Sequence, residues 1–142
     1  TNSAAATITR LLEIGIQSYL LNSTLLAVLA QRLVKRNCPH CLEQEAAPAV
    51  VRKALNISAD EVFYKGKGCD TCHGTGHAGR LATYELLEIT SEIRDLIQPK
   101  ANTTEIEKAA ITCGMKPLTE HALSLARQQL TSLEEVYRVR LS

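Results

Sequence analysis

The chain has 142 residues, enough for a compact domain with a core of its own. Hydrophobic residues make up 45% and charged residues 22%, and with one Phe, four Tyr and no Trp the core must be aliphatic. A net charge of +1 excludes an overall pull toward nucleic acid or anionic lipid, the apolar run Leu25 to Ala30 is too short to span a bilayer, and no signal-peptide pattern is present, so a cytosolic setting is the default.

The chain opens on Thr1 rather than Met, which reads as a cut through a larger protein. Asn2 or Ser3 is placed to cap a first helix whose apolar face is Ala4, Ile8, Leu11 and Leu12, with Gly15 at its C-terminal end. A second segment, about Ser18 to Leu26, is apolar at helical spacing. Val28 to Lys35 could extend that helix or form a strand, and periodicity alone does not decide.

From about Asn37 to Ala78 the chain carries two cysteine pairs, Cys38-Pro39-His40-Cys41 and Cys69-Asp70-Thr71-Cys72, with 27 residues between them. A two-residue spacer lets one tight turn aim two sulfurs at one metal ion, and two such turns complete a tetrahedral four-thiolate zinc site. Gly66, Gly68, Gly74, Gly76 and Gly79 surround the second pair and permit the tight turns and close backbone approach that such a site needs. Paired disulfides suit a reducing compartment poorly, and a redox CxxC normally comes singly beside a βαβ pattern. His40, His73 and His77 stand close enough in sequence to compete as a fourth ligand, or to lie as exposed polar residues. Within this region Pro48 to Leu55 reads as a short helix. Large apolar residues are few there, so the metal is expected to fix it.

After Gly79, Ala82, Tyr84 and Leu86 alternate with Thr83 and Glu85, the pattern of a half-buried strand over Arg80 to Leu87. The last third is helical. Thr90 caps a helix with the face Ile93, Leu96 and Ile97, stopped by Pro99. Asn102 with Glu105 resembles a capping box for a helix ending at Gly114, in which Ile106, Ala109, Ala110 and Cys113 share one face, making Cys113 a small core residue. Leu118, Ala122, Leu125 and Ala126 line another helix, with His121 as a surface residue. Thr131 with Glu134 is a capping box for a final helix carrying Leu133, Val136 and Tyr137.

No G-x-x-x-x-G-K-[ST] loop, H-E-x-x-H or G-x-S-x-G occurs, and no nucleophile meets a base. The residues themselves define an α/β piece with a tetracysteine zinc site and a helical tail.

Three stretches resemble one family, the type II secretion and type IV pilus assembly ATPases. They are Ala30-Gln31-Arg32-Leu33-Val34-Lys35-Arg36-Asn37-Cys38-Pro39-His40-Cys41, Gly68 to Arg80 followed by Tyr84-Glu85-Leu86-Leu87, and a tail with Gly114-Met115-Lys116-Pro117-Leu118 and Thr131 to Val139. Thr1-Asn2 looks like the end of the family's histidine box. The resemblance implies a hexameric P-loop ATPase with a RecA-like core, working on the cytoplasmic face of the inner membrane against a platform protein so that pilin or pseudopilin subunits are assembled. By it, the chain divides into residues 1–36 at the end of the RecA-like core, a zinc-binding insertion over 37–78 at the tip of a β-hairpin, the returning strand over 79–89, and a C-terminal helical subdomain over 90–142. Retraction motors of the same superfamily join the two strands directly, which makes Val28 to Lys35 a strand and Arg80 to Leu87 its partner. ATP and Mg2+ belong to the parent protein, whose Walker motifs lie upstream, so the piece alone is expected to be inactive.

Zinc ligation by Cys38, Cys41, Cys69 and Cys72 fits the same resemblance. Arg80 resembles the family arginine near the nucleotide base, where a planar guanidinium can stack on adenine. Gln31 and Arg32 match the family pattern with a strand-packing or subunit-interface role. Leu81 and Ala82, Asn37 and Thr83 depart from it. Two other readings fit the knuckles. Cys69 to Gly76 is similar to a chaperone zinc knuckle of the J-protein kind, which repeats four times where this chain has one copy. A zinc-ribbon nucleic-acid or protein-binding module would use Lys35, Arg36, Lys65 and Lys67 beside Phe63 and Tyr64, a thin stacking platform, so no specific nucleic acid is expected as a partner.

Overall fold

The computed structural model describes residues 3–142, so the expectations resting on Thr1 and Asn2 lie outside the described residues. The chain is a mixed α/β piece of seven helices and four strands among those residues. By internal packing it divides into two compact units: residues up to Gln31 with Tyr84–Leu118, and Arg32–Thr83 with Thr119–Ser142.

The first unit is built mainly of helices. Helix α1 (Ala4–Glu13) starts at Ser3, whose hydroxyl accepts the Ala6 N–H at 3.1 Å, and ends before Gly15 at φ 104, a left-handed position that glycine takes at no steric cost. Helix α2 (Ser18–Thr24) follows. Helix α4 (Ser91–Leu96) is capped by Thr90 and α5 (Thr103–Thr112) by Asn102, whose side chain accepts the Glu105 N–H, both as the sequence predicts. The core is aliphatic, with Ile8, Leu21, Leu87, Ile93, Ile97 and Ile106 at its centre.

Cys113 does not join that core. Ile106 and Ala110 are buried, but Cys113 is exposed, because α5 ends at Thr112 and Cys113 is already its C-cap. Helical periodicity carried one residue past the helix end misplaces it.

Two long strands run through both units. Strand β1 (Ala27–Asn37) and strand β4 (His77–Glu88) are hydrogen-bonded neighbours, which settles the Val28 to Lys35 segment as strand. Ile89 N–H donates to the Leu26 carbonyl at one end, and Cys38 N–H to the Gly76 carbonyl at the other. Between these bonds β1 advances twelve residues and β4 thirteen. One extra residue is what a β-bulge inserts, and Gly79 on β4 has φ 79, suited to it.

The buried face of β4 is the opposite of the one expected. Thr83 and Glu85 are 0% and 3% exposed, whereas Tyr84 and Leu86 are 50% and 45% exposed. A buried carboxylate is tolerated only with partners. Glu85 has two, accepting the Ala4 N–H of α1 at 2.7 Å and the Leu118 N–H at 2.9 Å. Its two oxygens thus meet the first amides of α1 and of the helix that begins at Leu118. Thr83 Oγ1 lies 3.2 Å from His121 Nδ1, so His121 is half-buried rather than a surface residue.

The second unit holds the cysteine knuckles. Strands β2 (Leu42–Gln44) and β3 (Tyr64–Gly66) form a short antiparallel pair with Leu42 opposite Gly66 and Gln44 opposite Tyr64. Helix α3 (Ala49–Ala54) lies between them in sequence, close to the predicted span. Phe63 and Leu55 are buried in a core with Ala122, Leu123, Leu133 and Val136 from α6 (Leu118–Arg127) and α7 (Leu133–Leu141). Few as they are, these apolar residues do bury surface, so a metal is not the sole means of fixing the segment that the sequence suggests.

Helix α7 starts one residue later than its predicted box. Ser132, not Thr131, caps it, accepting the Glu135 N–H at 3.2 Å. The Thr131 hydroxyl instead donates to the Lys35 carbonyl at 2.7 Å. The stretch 129–138 thereby covers one edge of β1. Arg138 donates to the Leu33 carbonyl, Glu135 accepts the Lys35 N–H at 2.6 Å, and the Leu130 carbonyl accepts the Asn37 N–H at 2.8 Å. Covering a strand edge removes a template for wrong pairing.

Candidate metal centre

Four cysteines converge in the second unit. The Sγ atoms of Cys38, Cys41, Cys69 and Cys72 all lie within 4.8 Å of one another. Cys38 to Cys69 and Cys41 to Cys72 are each 3.8 Å, and Cys69 to Cys72 is 3.7 Å. A zinc–thiolate bond of about 2.3 Å in tetrahedral geometry separates ligands by about 3.8 Å. The spacing therefore suits a tetrahedral ion, and all four cysteines are free thiols. Cys38 and Cys72 are buried, while Cys41 and Cys69 are half-buried.

Backbone amides hold this arrangement. Gly68 N–H donates to Cys41 Sγ at 3.3 Å, and Cys69 and Gly76 N–H both donate to Cys72 Sγ at 3.2 Å. Burial pushes Cys72 up, but these two amides, helped by the Cys69 and Cys41 thiols, bring it down to about 6. For Cys41 the Gly68 amide pulls down, while burial and the three neighbouring thiols push it up to about 11. Four thiols this close cannot all ionise alone, and a divalent cation is what lets them do so.

Glycine makes the close approach possible. A Cβ on Gly66 would stand 2.0 Å from the Gly76 carbonyl oxygen, and one on Gly76 would stand 2.3 Å from the Gly66 oxygen. No side chain fits either position. The close backbone approach read from the glycine-rich sequence is thus present at this pair.

Asn37 has a role that the sequence does not reveal. It is buried, and its Nδ2 donates to the carbonyls of Tyr64 at 3.0 Å and Gln129 at 3.2 Å. It ties the start of the first knuckle to β3 and to the turn before α7. Glu45, just after β2, does the same from the other side, with the N–H groups of Leu133 and Glu134 donating to its carboxylate at 2.7 and 3.2 Å. Burial pushes Glu45 up despite these amides. No local signal marks Asn37 or Glu45, because their partners lie between 27 and 92 residues away in sequence.

The other candidates stay apart. His40 and His73 are exposed, His77 is half-buried, and none belongs to the sulfur cluster. Arg80 is exposed on β4, Gln31 is exposed on β1 and Arg32 is half-buried there. Among the described residues no helix is long and apolar enough to cross a membrane.

Two knuckles in a mixed α/β chain thus bring four thiols together where they could hold a metal ion. Residues 1–138 match the model of the type II/IV secretion system protein family, and the chain belongs to that family. It is 45% identical over 141 residues to a type IV pilus assembly ATPase, PilB, of Thermus thermophilus, covering 96% of this chain and 16% of that protein. It is 38% identical over 141 residues to the type II secretion system ATPase E of Vibrio cholerae, covering 98% and 28% respectively. A third relative, the type IV pilus assembly ATPase TfpB of Acinetobacter baylyi, is 35% identical over 144 residues, with 98% and 24% covered. The chain thus spans between 16% and 28% of the length of these relatives.

Proposed function

We propose that this chain is the C-terminal part of a hexameric motor ATPase that powers pilin or pseudopilin assembly at the inner membrane, and that Cys38, Cys41, Cys69 and Cys72 hold a structural zinc ion in it. The observation that carries the reading is the near-tetrahedral sulfur spacing of two knuckles in a chain of the secretion family. Four thiolates fill the coordination of zinc and leave no position for a reacting water, so the ion would cross-link and not catalyse.

In this reading residues 1–36 end a RecA-like core, 37–78 form the zinc insertion, 79–89 return to the core and 90–142 form the C-terminal helical subdomain. The apolar side chains that β1 and β4 leave exposed support a larger core in the parent, among them Leu29, Leu33, Tyr84 and Leu86. Leu42, Val50 and Val62 on the insertion are exposed as well, and support a second role as a docking surface for the platform protein or a neighbouring subunit. The parent would be cytoplasmic and held at the inner membrane through such partners. ATP and Mg2+ would be bound largely by segments outside these 142 residues, with the exposed Arg80 guanidinium stacking on the base.

Two measurements test this. Elemental analysis of the purified chain should give one zinc per chain, and none would remove the metal reading. In a longer protein carrying this chain, Arg80→Ala should raise KM for ATP several-fold with kcat nearly unchanged. An unchanged KM would remove Arg80 from the nucleotide site, and no ATP hydrolysis by the longer protein would remove the motor reading.

A further inference from the structure

The four thiolates are not equivalent, and the difference singles out one for chemical modification. Amide donors are concentrated on Cys72, which accepts two, and Cys41, which accepts one. Among the described residues no amide donates to the Sγ of Cys38 or Cys69. An N–H bond draws charge from a thiolate and lowers its nucleophilicity along with its basicity. Reaction also requires access. Cys38 lacks a donor but is fully buried, and Cys41 is half-buried but carries a donor. Cys69 alone is both half-buried and free of an amide donor.

We propose that Cys69 is a peroxide-reactive thiolate, whose oxidation joins it to a neighbouring knuckle cysteine and opens the metal site. The inference rests on the metal-site reading above. The Cys69 sulfur attacks one oxygen of hydrogen peroxide. The O–O bond breaks, a sulfenic acid forms on Cys69 and the other oxygen leaves as hydroxide. A second thiolate then attacks the Cys69 sulfur and displaces the remaining oxygen as a second hydroxide. Cys38 at 3.8 Å and Cys72 at 3.7 Å are both in place for this. Two sulfurs are oxidised by two electrons in all, the peroxide is reduced to two hydroxides, and two of four metal ligands are consumed. A dithiol reductant reverses the bond.

The test uses zinc-loaded protein carrying this chain with Cys113→Ser, which removes the exposed thiol on α5's C-cap. Zinc content is measured first. Hydrogen peroxide is then added, zinc release is followed with a chelating dye, and aliquots are alkylated before and after reduction for peptide mass analysis. The expected result is that Cys69 loses alkylation first, that the earliest disulfide contains Cys69, that zinc appears with it, and that reductant restores both. Zinc absent at the start would overturn the metal reading itself. Zinc present at the start but retained while Cys69 is oxidised, or a first disulfide of Cys41 with Cys72, would overturn the inference and leave the metal reading standing.

Discussion

The two units of this chain hold themselves together by different means. The first has an aliphatic core of about a dozen buried residues spread over α1, α2, α4, α5 and the strand ends. The second has seven buried residues in its core, one of them the chain's only Phe, and supplements them with four sulfurs and a set of long-range polar bonds. A segment too poor in apolar residues to bury much surface can still be ordered if cross-links and buried carboxylates fix its backbone. If the four thiols hold an ion as proposed, the stability of this unit would depend on that ion, whereas the first unit relies on apolar burial and the bonds of Glu85.

The largest expected break in this comparison is Cys38→Ser with Cys69→Ser. Hydrogen exchange should show protection lost across β2 and β3 and weakened in α7, whose first amides rest on Glu45, while α1 and α5 keep theirs. Uniform loss over both units would refute the division. Next, Phe63→Ala should cost about 3–5 kcal/mol by denaturant unfolding, more than any single Ile→Val change in the first core, at about 0.5–1.5 kcal/mol. Gly66→Ala forces backbone apart at the Gly76 carbonyl and should cost at least about 1–3 kcal/mol, with faster zinc loss to a chelator. A stable variant that holds zinc normally would show the contact to be slack.

Glu85→Leu sharpens the comparison from the other side, since the first unit also buries a carboxylate. Leaving the Ala4 and Leu118 amides without an acceptor should cost about 1–3 kcal/mol, read as a lower Tm. The smallest effect concerns pH. Burial alone would push Glu135 up, but the Arg138 guanidinium and the Lys35 amide outweigh it and hold its carboxyl below the usual range. A carboxyl lowered in the folded state contributes stability that is present above its unfolded value near 4.5 and is lost as pH falls through the lower folded value. Glu135→Gln should therefore flatten the acid side of the stability curve, and an unchanged acid limb would show that Glu135 carries no linkage.

The cysteine cluster was largely legible in the sequence because its information is local. A CxxC turn places two sulfurs by itself, glycines announce tight backbone, and only the meeting of two knuckles had to be supplied by the fold. The caps at Ser3, Thr90 and Asn102 were legible for the same reason, each acting within three residues. At α7, two overlapping boxes competed, Thr131 with Glu134 and Ser132 with Glu135. The choice fell to Lys35, whose carbonyl engages the Thr131 hydroxyl from 96 positions away.

Local pattern thus determined the knuckles, most helix boundaries and the family to which the chain belongs. Which face of β4 turns inward was decided by tertiary structure alone. Alternation along a strand says that two faces differ but not which one has partners, and amides brought to Glu85 from 81 residues before it and 33 after it helped to turn that face inward. The same holds for Asn37 and Glu45. Asn37 Nδ2 and the Glu45 carboxylate are met by backbone groups that reach them only once the chain has folded.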